Sequence, residues 1–141
     1  MPTRVSSARW EGDLRSGNGT VSTGSGTFQG KYSFPSRFES GDGTNPEELV
    51  AAAHAACYSM ALSNGLAKAG HTPTSVETSA AVQFGPVDGG FAITRIDLTT
   101  RGDVPGLDAA EFEKFAQEAK AGCPISKALA AVEITLDAQL V

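Results

Sequence analysis

The chain has 141 residues, a formal net charge of −5 and a hydrophobic fraction of 40%. This length predicts one domain over residues 1–141, and the acidic balance without a Lys/Arg cluster excludes nucleic-acid binding driven by charge. No apolar run approaches the ~20 residues of a membrane helix, and the N-terminus lacks the apolar core of a signal peptide. We therefore expect a cytoplasmic protein.

The first half of the chain predicts a small sheet followed by one long helix. Strands separated by glycine turns are predicted at residues 4–13, 19–23 and 31–38. The helix is predicted over residues 45–69, with Asn45 as its N-cap, Glu48 completing a capping box and Gly70 just after its end. It is rich in alanine and apolar nearly all round, which predicts a central, buried helix.

The second half predicts a hairpin, a helix and a closing strand. The predicted elements are a β-hairpin of residues 76–87 and 91–101, a helix over residues 108–121, a short helical turn over residues 124–129 and a strand over residues 132–140. Asp108 fits the N-cap of the second helix. The order β-β-β-α-β-β-α-β predicts an α+β domain with antiparallel sheets.

The chain has two cysteines, Cys57 and Cys123, and neither belongs to a Cys-x-x-Cys motif. Cys57 lies inside the alanine-rich helix, where we expect a buried thiol, whereas Cys123 precedes a proline at a turn, where we expect a more mobile one. A permanent disulfide is disfavoured in the cytosol, whereas a transient catalytic one is the usual exception. A redox couple and two unrelated structural cysteines both remain open.

A reactive Cys57 needs a cation from elsewhere in the fold. It lies roughly 16 Å from the start of its helix, beyond the reach of the helix dipole, and burial raises its pKa. Arg37 is the best candidate, and Glu47 in the first helical turn can bind its guanidinium with both oxygens, with Glu39 as the competitor. The alternatives are a solvated Arg37 on a strand and a Glu47 that only complements the helix N-terminus.

His54 precedes Cys57 by three residues, which places both on one face of the helix. Only Cys123 and His71 are available as further soft ligands, so a zinc site is disfavoured. We interpret His54 as a core or interface histidine.

Three segments carry a more specific pattern: Gly43-Thr-Asn-Pro-Glu-Glu-Leu49, Ala52-Ala-His-Ala-Ala-Cys57 and Ala119-Lys-Ala-Gly-Cys-Pro124. They resemble the OsmC / organic hydroperoxide resistance family, and the His-Ala-Ala-Cys form resembles its OsmC branch. The resemblance runs from about residue 8 to the C-terminus.

The resemblance implies an OsmC-like fold in an intertwined homodimer, with active sites at the subunit interface. It implies a thiol peroxidase that reduces organic hydroperoxides, and hydrogen peroxide less well, without a metal or other cofactor. By position, Cys57 becomes the peroxidatic cysteine, Cys123 the resolving one, Arg37 the group that stabilises the thiolate, and Glu47 the group that orients Arg37. The resemblance also implies that the electrons come from dithiols, including lipoylated proteins. The alternative is a redox-sensing or small apolar-ligand-binding protein without turnover.

Overall fold

Strands and helices alternate in groups along the chain in the computed structural model, which describes residues 1–141. The elements are β1 (Ser6–Glu11), β2 (Asn18–Thr23), β3 (Gln29–Tyr32), α1 (Phe34–Phe38), α2 (Pro46–Lys68), β4 (Ser75–Val87), β5 (Gly90–Asp103), α3 (Ala109–Gly122), α4 (Pro124–Ala128) and β6 (Glu133–Leu140). The residues divide into two compact units, Met1–Leu49 and Val50–Val141, and the boundary falls inside α2. The expected α+β composition is confirmed.

The first unit contains an antiparallel sheet in the order β1-β2-β3. The strand predicted over residues 31–38 is wrong in its second half, because residues 34–38 form helix α1. The Ser33 side chain accepts the Ser36 N–H while Ser36 Oγ accepts the Ser33 N–H, and Pro35 fits the first turn. This reciprocal cap starts a helix where alternation alone suggested a strand. Arg37 is therefore a helical residue.

The start of α2 follows the prediction in part. Asn45 Oδ1 accepts the Glu48 N–H at 2.8 Å, which confirms Asn45 as the cap. The Glu48 carboxylate accepts the Thr44 hydroxyl at 3.3 Å instead, so the reciprocal half of the predicted capping box is wrong. The bond between Asn45 Oδ1 and the Glu48 N–H is enough by itself to cap the start of α2.

The second unit contains a mixed sheet in the order β4-β5-β6. The predicted hairpin of β4 and β5 is confirmed, and these two strands are antiparallel. β6 pairs with β5 in parallel, so the expectation of purely antiparallel sheets is wrong for this strand. The reason lies in the connection between them, because α3 and α4 form a long crossover that returns the chain in the same direction.

The part of α2 in the second unit is buried along one stripe rather than all round. His54, Tyr58, Leu62 and Leu66 are fully buried at intervals of four residues. Met60, on another face, has a relative exposure of 74%. The prediction of a fully buried helix is therefore wrong for the single chain, because small apolar side chains fit a buried and an exposed face equally well. No helix of the chain combines the length and hydropathy needed to cross a bilayer.

Helix α3 begins as predicted, since Asp108 accepts the Glu111 N–H at 2.8 Å. Its Phe112 is 1% exposed and packs against Gly102 of β5, where an added Cβ would stand 2.5 Å from Phe112 Cε2. The glycine lets the ring approach the sheet. Alternate residues of β4 and β5, among them Val76, Ala80, Ile96 and Leu98, belong to the same core.

Gly102→Ala is expected to lower the free energy of unfolding by about 1–3 kcal/mol, because the new methyl group overpacks the Phe112 contact. Gly85→Ala is the matched control, since nothing lies within 4 Å of a Cβ added at Gly85 of β4. Urea denaturation of both variants measures the difference. Equal denaturation midpoints for the two variants would mean that the Phe112 ring shifts to accommodate the methyl group with no loss of stability.

Candidate active site

The two cysteine sulfurs lie side by side in the second unit. Cys57 belongs to the middle of α2, Cys123 stands between α3 and α4, and their Sγ atoms share a hydrogen bond at 2.9 Å. Both are free thiols. The two cysteines are therefore neighbours in the fold, as a redox couple requires.

The burial of the two thiols is the reverse of the expectation. Cys123 is fully buried, whereas Cys57 is partly exposed. Cys57 comes directly before Tyr58, a member of the buried stripe of α2, so its side chain lies beside the stripe and not within it. Cys123 joins the hydrophobic core because α3 ends at Gly122 and α4 starts at Pro124, which turns the chain inward.

The surroundings of the pair favour the thiolate on Cys123. Burial raises the pKa of the Cys57 thiol, the hydrogen bond with Cys123 raises it further, and the backbone of Ile125 lowers it. Burial opposes ionisation of Cys123 too, but interactions with Cys57, with the backbone and hydroxyl of Ser126 and with the backbone of Ile125 lower the pKa of Cys123 below its usual range. The prediction that burial raises the Cys57 pKa is confirmed.

An apolar groove of about 970 Å³ opens onto Cys57. Its walls include Met60, Ala61, Phe115 and Ile125, and Cys123 is not among the residues that line it. A molecule that enters the groove therefore meets the sulfur of Cys57 first.

The predicted arginine–carboxylate clamp is present in the first unit. Arg37 Nη2 lies 2.7 Å from Glu47 Oε1, and Arg37 Nε donates to Glu47 Oε2 at 3.2 Å. The partner is thus Glu47 and not Glu39, and the bond is bidentate. Arg37 is not the solvated strand residue of the alternative interpretation, since its side chain is only 33% exposed.

Helix α1 is fixed in place by polar contacts with the segment before α2. Ser36 Oγ donates to the Thr44 carbonyl at 2.7 Å, and Asn45 Nδ2 donates to the Ser36 carbonyl at 3.0 Å. Arg37 is the next residue in α1. These bonds set the direction from which the guanidinium reaches Glu47.

Aromatic rings surround the arginine within the first unit. A pocket of about 390 Å³ is lined by Trp10, Tyr32, Phe34, Phe38 and Arg37, among others. The Arg37 Cζ atom lies 5.5 Å from the centre of the Phe38 ring, within cation–π distance. The first unit thus combines a positive charge with an apolar pocket.

Ser126 is the residue near the site that sequence reasoning missed. It is 6% exposed, its hydroxyl lies 2.8 Å from His54 Nε2, and it lowers the pKa of the Cys123 thiol. The signal present in the sequence is proximity alone, because Ser126 lies three residues after Cys123, in the first turn of α4. His54 is fully buried, as a core histidine should be. No group of three or more His, Cys, Asp or Glu side chains is arranged to hold a metal ion.

The structure therefore joins the four predicted site residues as two pairs. Arg37 meets Glu47 in the first unit, and Cys57 meets Cys123 in the second. A dithiol at this separation can close a disulfide by a small movement of the sulfurs, since a disulfide bond is about 2.05 Å long. The catalytic roles implied by the resemblance remain predictions.

Comparison with known proteins places these pairs in a family. The sequence model of the family described as OsmC-like protein matches residues 39–137. The chain is 59% identical to peroxiredoxin OsmC of Escherichia coli over 134 residues, covering 94% of this chain and 93% of that protein. It is 38% identical to an organic hydroperoxide resistance protein of Xanthomonas axonopodis pv. citri, covering 68% of this chain and 67% of that protein.

A solved structure agrees with these sequence matches. The crystal structure of an organic hydroperoxide resistance protein OsmC from Legionella pneumophila superposes with a TM-score of 0.79 at 26% identity, covering 100% of this chain and 98% of that chain. The resemblance stated from the sequence motifs is thereby confirmed, together with the expected OsmC-like fold. The chain belongs to the OsmC-like protein family.

Proposed function

We propose that this protein is a cysteine-based peroxidase that reduces organic hydroperoxides to alcohols, and hydrogen peroxide less well. The observation that carries the proposal is the pair of free thiols 2.9 Å apart, of which Cys57 opens onto a groove and Cys123 is buried behind it. The names of the relatives, peroxiredoxin OsmC and organic hydroperoxide resistance protein, support the same chemistry.

In the proposed reaction, the Cys57 thiolate attacks one peroxide oxygen, the O–O bond breaks, and the leaving alkoxide takes a proton to become the alcohol. Cys57 is then a sulfenic acid. The Cys123 thiolate attacks that sulfur, the S–S bond forms as the S–O bond breaks, and the leaving hydroxide is protonated to water. An external dithiol, for which a lipoylated protein is our candidate, exchanges with the disulfide and restores both thiols.

Arg37 is proposed to stabilise the Cys57 thiolate and to polarise the peroxide, while Glu47 orients the guanidinium. The influences on the pKa of Cys57 are burial, Cys123 and Ile125, and none of them is a cation. A thiol whose pKa is raised needs such a cation to react at neutral pH. Arg37, with a bidentate carboxylate partner that fixes its direction, has the geometry of a group that serves a reacting centre.

The preference for organic substrates is argued from the apolar surroundings of both pairs. The groove at Cys57 presents Met60 and Phe115, and the pocket at Arg37 presents aromatic rings. The transfer of an alkyl or aryl group from water to such surfaces lowers the free energy, whereas hydrogen peroxide has no apolar group to bury.

We also propose that the functional unit is a homodimer with active sites at the subunit interface. The face of α2 that carries Met60 is exposed in the single chain and continues into the apolar groove at Cys57. Apolar surface of this kind, beside a reactive group, suits coverage by a second copy. We propose that the cation that stabilises the Cys57 thiolate is the partner subunit's Arg37.

Sedimentation is expected to give a dimer at micromolar concentration, and Met60→Glu is expected to weaken it because a charge would be buried at the interface. Lys114→Glu, a charge change at an exposed residue of α3 that does not line the groove, is the control. A stable monomer with full peroxidase activity would contradict the dimer.

Mixed dimers test the assignment of Arg37 to the partner's thiols. A heterodimer of Arg37→Ala and Cys57→Ser subunits keeps one intact site if arginine and cysteine come from different subunits, and none if they come from the same one. Turnover in the mixture, with both parent homodimers inactive, is the expected result. An inactive mixture with proven subunit exchange would assign Arg37 to the cysteines of its own chain.

A steady-state assay tests the proposed function as a whole. Cumene and tert-butyl hydroperoxide are compared with hydrogen peroxide, using dithiothreitol or a lipoylated protein as reductant. We expect faster turnover with the organic substrates. A protein that binds the hydroperoxide, or whose Cys57 is oxidised once, without turnover would favour the redox-sensing or ligand-binding alternative.

We propose that the protein is located in the cytoplasm, where the two thiols stay reduced between turnovers.

A further inference from the structure

One buried histidine near the start of the second unit takes no part in the reaction described above. His54 lies one helical turn before Cys57 on α2 and is fully buried. Its Nε2 atom lies 2.8 Å from Ser126 Oγ, and Ser126 is itself buried in α4. This bond joins residues 72 positions apart, so it is a product of the fold and not of local sequence.

The second ring nitrogen of His54 fixes the direction of this bond. His54 Nδ1 is buried and has no hydrogen-bond partner. Burial lowers the pKa of His54, so the ring is neutral and carries one N–H. A buried N–H without a partner is rarer than a buried acceptor without one, so the proton belongs on Nε2. His54 therefore donates to Ser126 Oγ.

The Ser126 hydroxyl is then free to donate onward. Ser126 lies in the first turn of α4, three residues after Cys123, and its hydroxyl lowers the pKa of that thiol against the effect of burial. A hydroxyl that accepts a hydrogen bond becomes a stronger donor. Tyr58 and Glu113 are two other titratable groups on the neighbouring helices, and the pKa of Tyr58 is raised first by burial and then by the charges of Glu113 and Cys123.

We propose that His54, acting through the Ser126 hydroxyl, is a positioning residue that holds Cys123 in its thiolate form, ready to attack the sulfenic acid of Cys57. The inference rests on the proposed peroxidase function and concerns only its second step. In that step the Cys123 electron pair forms the S–S bond, and the hydroxide released from Cys57 takes a proton from solvent. His54 keeps its proton throughout.

Loss of the His54–Ser126 bond has consequences of opposite sign at low and high pH. The Cys123 pKa is expected to rise by about one unit. Below both pKa values the thiolate fraction falls about tenfold while the remaining thiolate becomes about threefold more nucleophilic, so disulfide closure slows about threefold. Above both pKa values only the gain in nucleophilicity remains, so closure in the variant is faster than in the wild type. A merely damaged fold slows closure at every pH.

The experiment compares His54→Leu and Ser126→Ala with His54→Gln, whose amide N–H can replace the Nε2 donor. Thr100→Val is the matched control, because Thr100 is equally buried and its hydroxyl contacts Thr78 and Glu77 and neither sulfur. The Cys123 pKa is read from thiolate absorbance in a Cys57→Ser background, where it is the sole thiol. Closure is followed against pH by rapid mixing with cumene hydroperoxide, acid quench and intact mass.

We expect a raised Cys123 pKa and crossing pH profiles for His54→Leu and Ser126→Ala, and wild-type behaviour for His54→Gln and Thr100→Val. An unchanged Cys123 pKa in His54→Leu overturns the inference, and if that variant does not fold, an unchanged pKa in Ser126→Ala overturns it. Uniformly slower closure without a crossing also overturns it. The titration uses no peroxide, so its result does not depend on the proposed peroxidase function. That function is contradicted separately if the wild-type protein forms no disulfide with peroxide.

Discussion

Cys57→Ser is expected to abolish turnover of organic hydroperoxides while the fold remains intact. Serine is nearly isosteric with cysteine, and the partly exposed position at the edge of the groove tolerates it. A neutral hydroxyl cannot attack the O–O bond at a useful rate, because the thiolate is the nucleophile in this chemistry. The measurement is the steady-state rate with cumene hydroperoxide and dithiothreitol, with circular dichroism to check the fold.

Cys123→Ser is the matched comparison, because it removes the other sulfur of the same pair. Here Cys57 still reacts once with peroxide, but its sulfenic acid has no thiol behind it and accumulates or is oxidised further. Mass spectrometry distinguishes these products from a disulfide. Retention of most activity in Cys57→Ser, with loss only in Cys123→Ser, would make Cys123 the attacking cysteine.

Arg37→Ala is expected to have the largest effect of any substitution outside the two cysteines, lowering peroxidase activity by roughly 10²–10³-fold, as loss of one charge-stabilising group does in other active sites. Burial raises the Cys57 pKa, and no cation of the chain counteracts this effect. A shift of two pKa units corresponds to about 2.7 kcal/mol, which one well-directed guanidinium can supply.

The control for Arg37 is another arginine of the same unit. Arg9 pairs with Glu11 at 3.1 Å, but both side chains are largely exposed, so Arg9→Ala is expected to leave activity and stability nearly unchanged. The pH dependence of iodoacetamide labelling of Cys57, in a Cys123→Ser background, measures the thiol pKa directly. Labelling should move to higher pH in Arg37→Ala, and an identical labelling profile would remove Arg37 from the site.

Glu47→Ala is expected to follow Arg37→Ala with a smaller change in the thiol pKa. The cation remains, but it loses the carboxylate that holds it at 2.7 Å and fixes its direction. Peroxide turnover should fall more than labelling does, because polarisation of a peroxide oxygen depends on direction more steeply than stabilisation of a nearby charge.

The sequence was sufficient for features whose cause is local or whose chemistry allows few partners. The hairpin follows from alternation, the start of α3 from Asp108, and the Arg37–Glu47 clamp from the rule that a guanidinium out of water needs a carboxylate. Each of these features depends on residue types that are compatible with few other structures at the same position.

Helix α1 was missed although its cause is local, because the alternating residues around the Ser33–Ser36 capping bonds also suit a strand. The other missed features depend on tertiary contacts, and the parallel pairing of β6 depends on where the crossover ends. The burial predicted for Cys57 and Cys123 is the reverse of the burial observed, because the small side chains around each cysteine do not reveal which face of the chain meets the core. Ser126 is identified only by its contact with His54, far away in the sequence.

The bond formed after one equivalent of peroxide tests the central claim most directly. Reduced wild-type protein is treated with cumene hydroperoxide, unreacted thiols are blocked, and peptides are mapped by mass spectrometry without reduction. The proposed mechanism predicts a disulfide between Cys57 and Cys123 of the same chain, formed together with one equivalent of alcohol. Alcohol formation with both cysteines still free, or with disulfides only between chains, would contradict it.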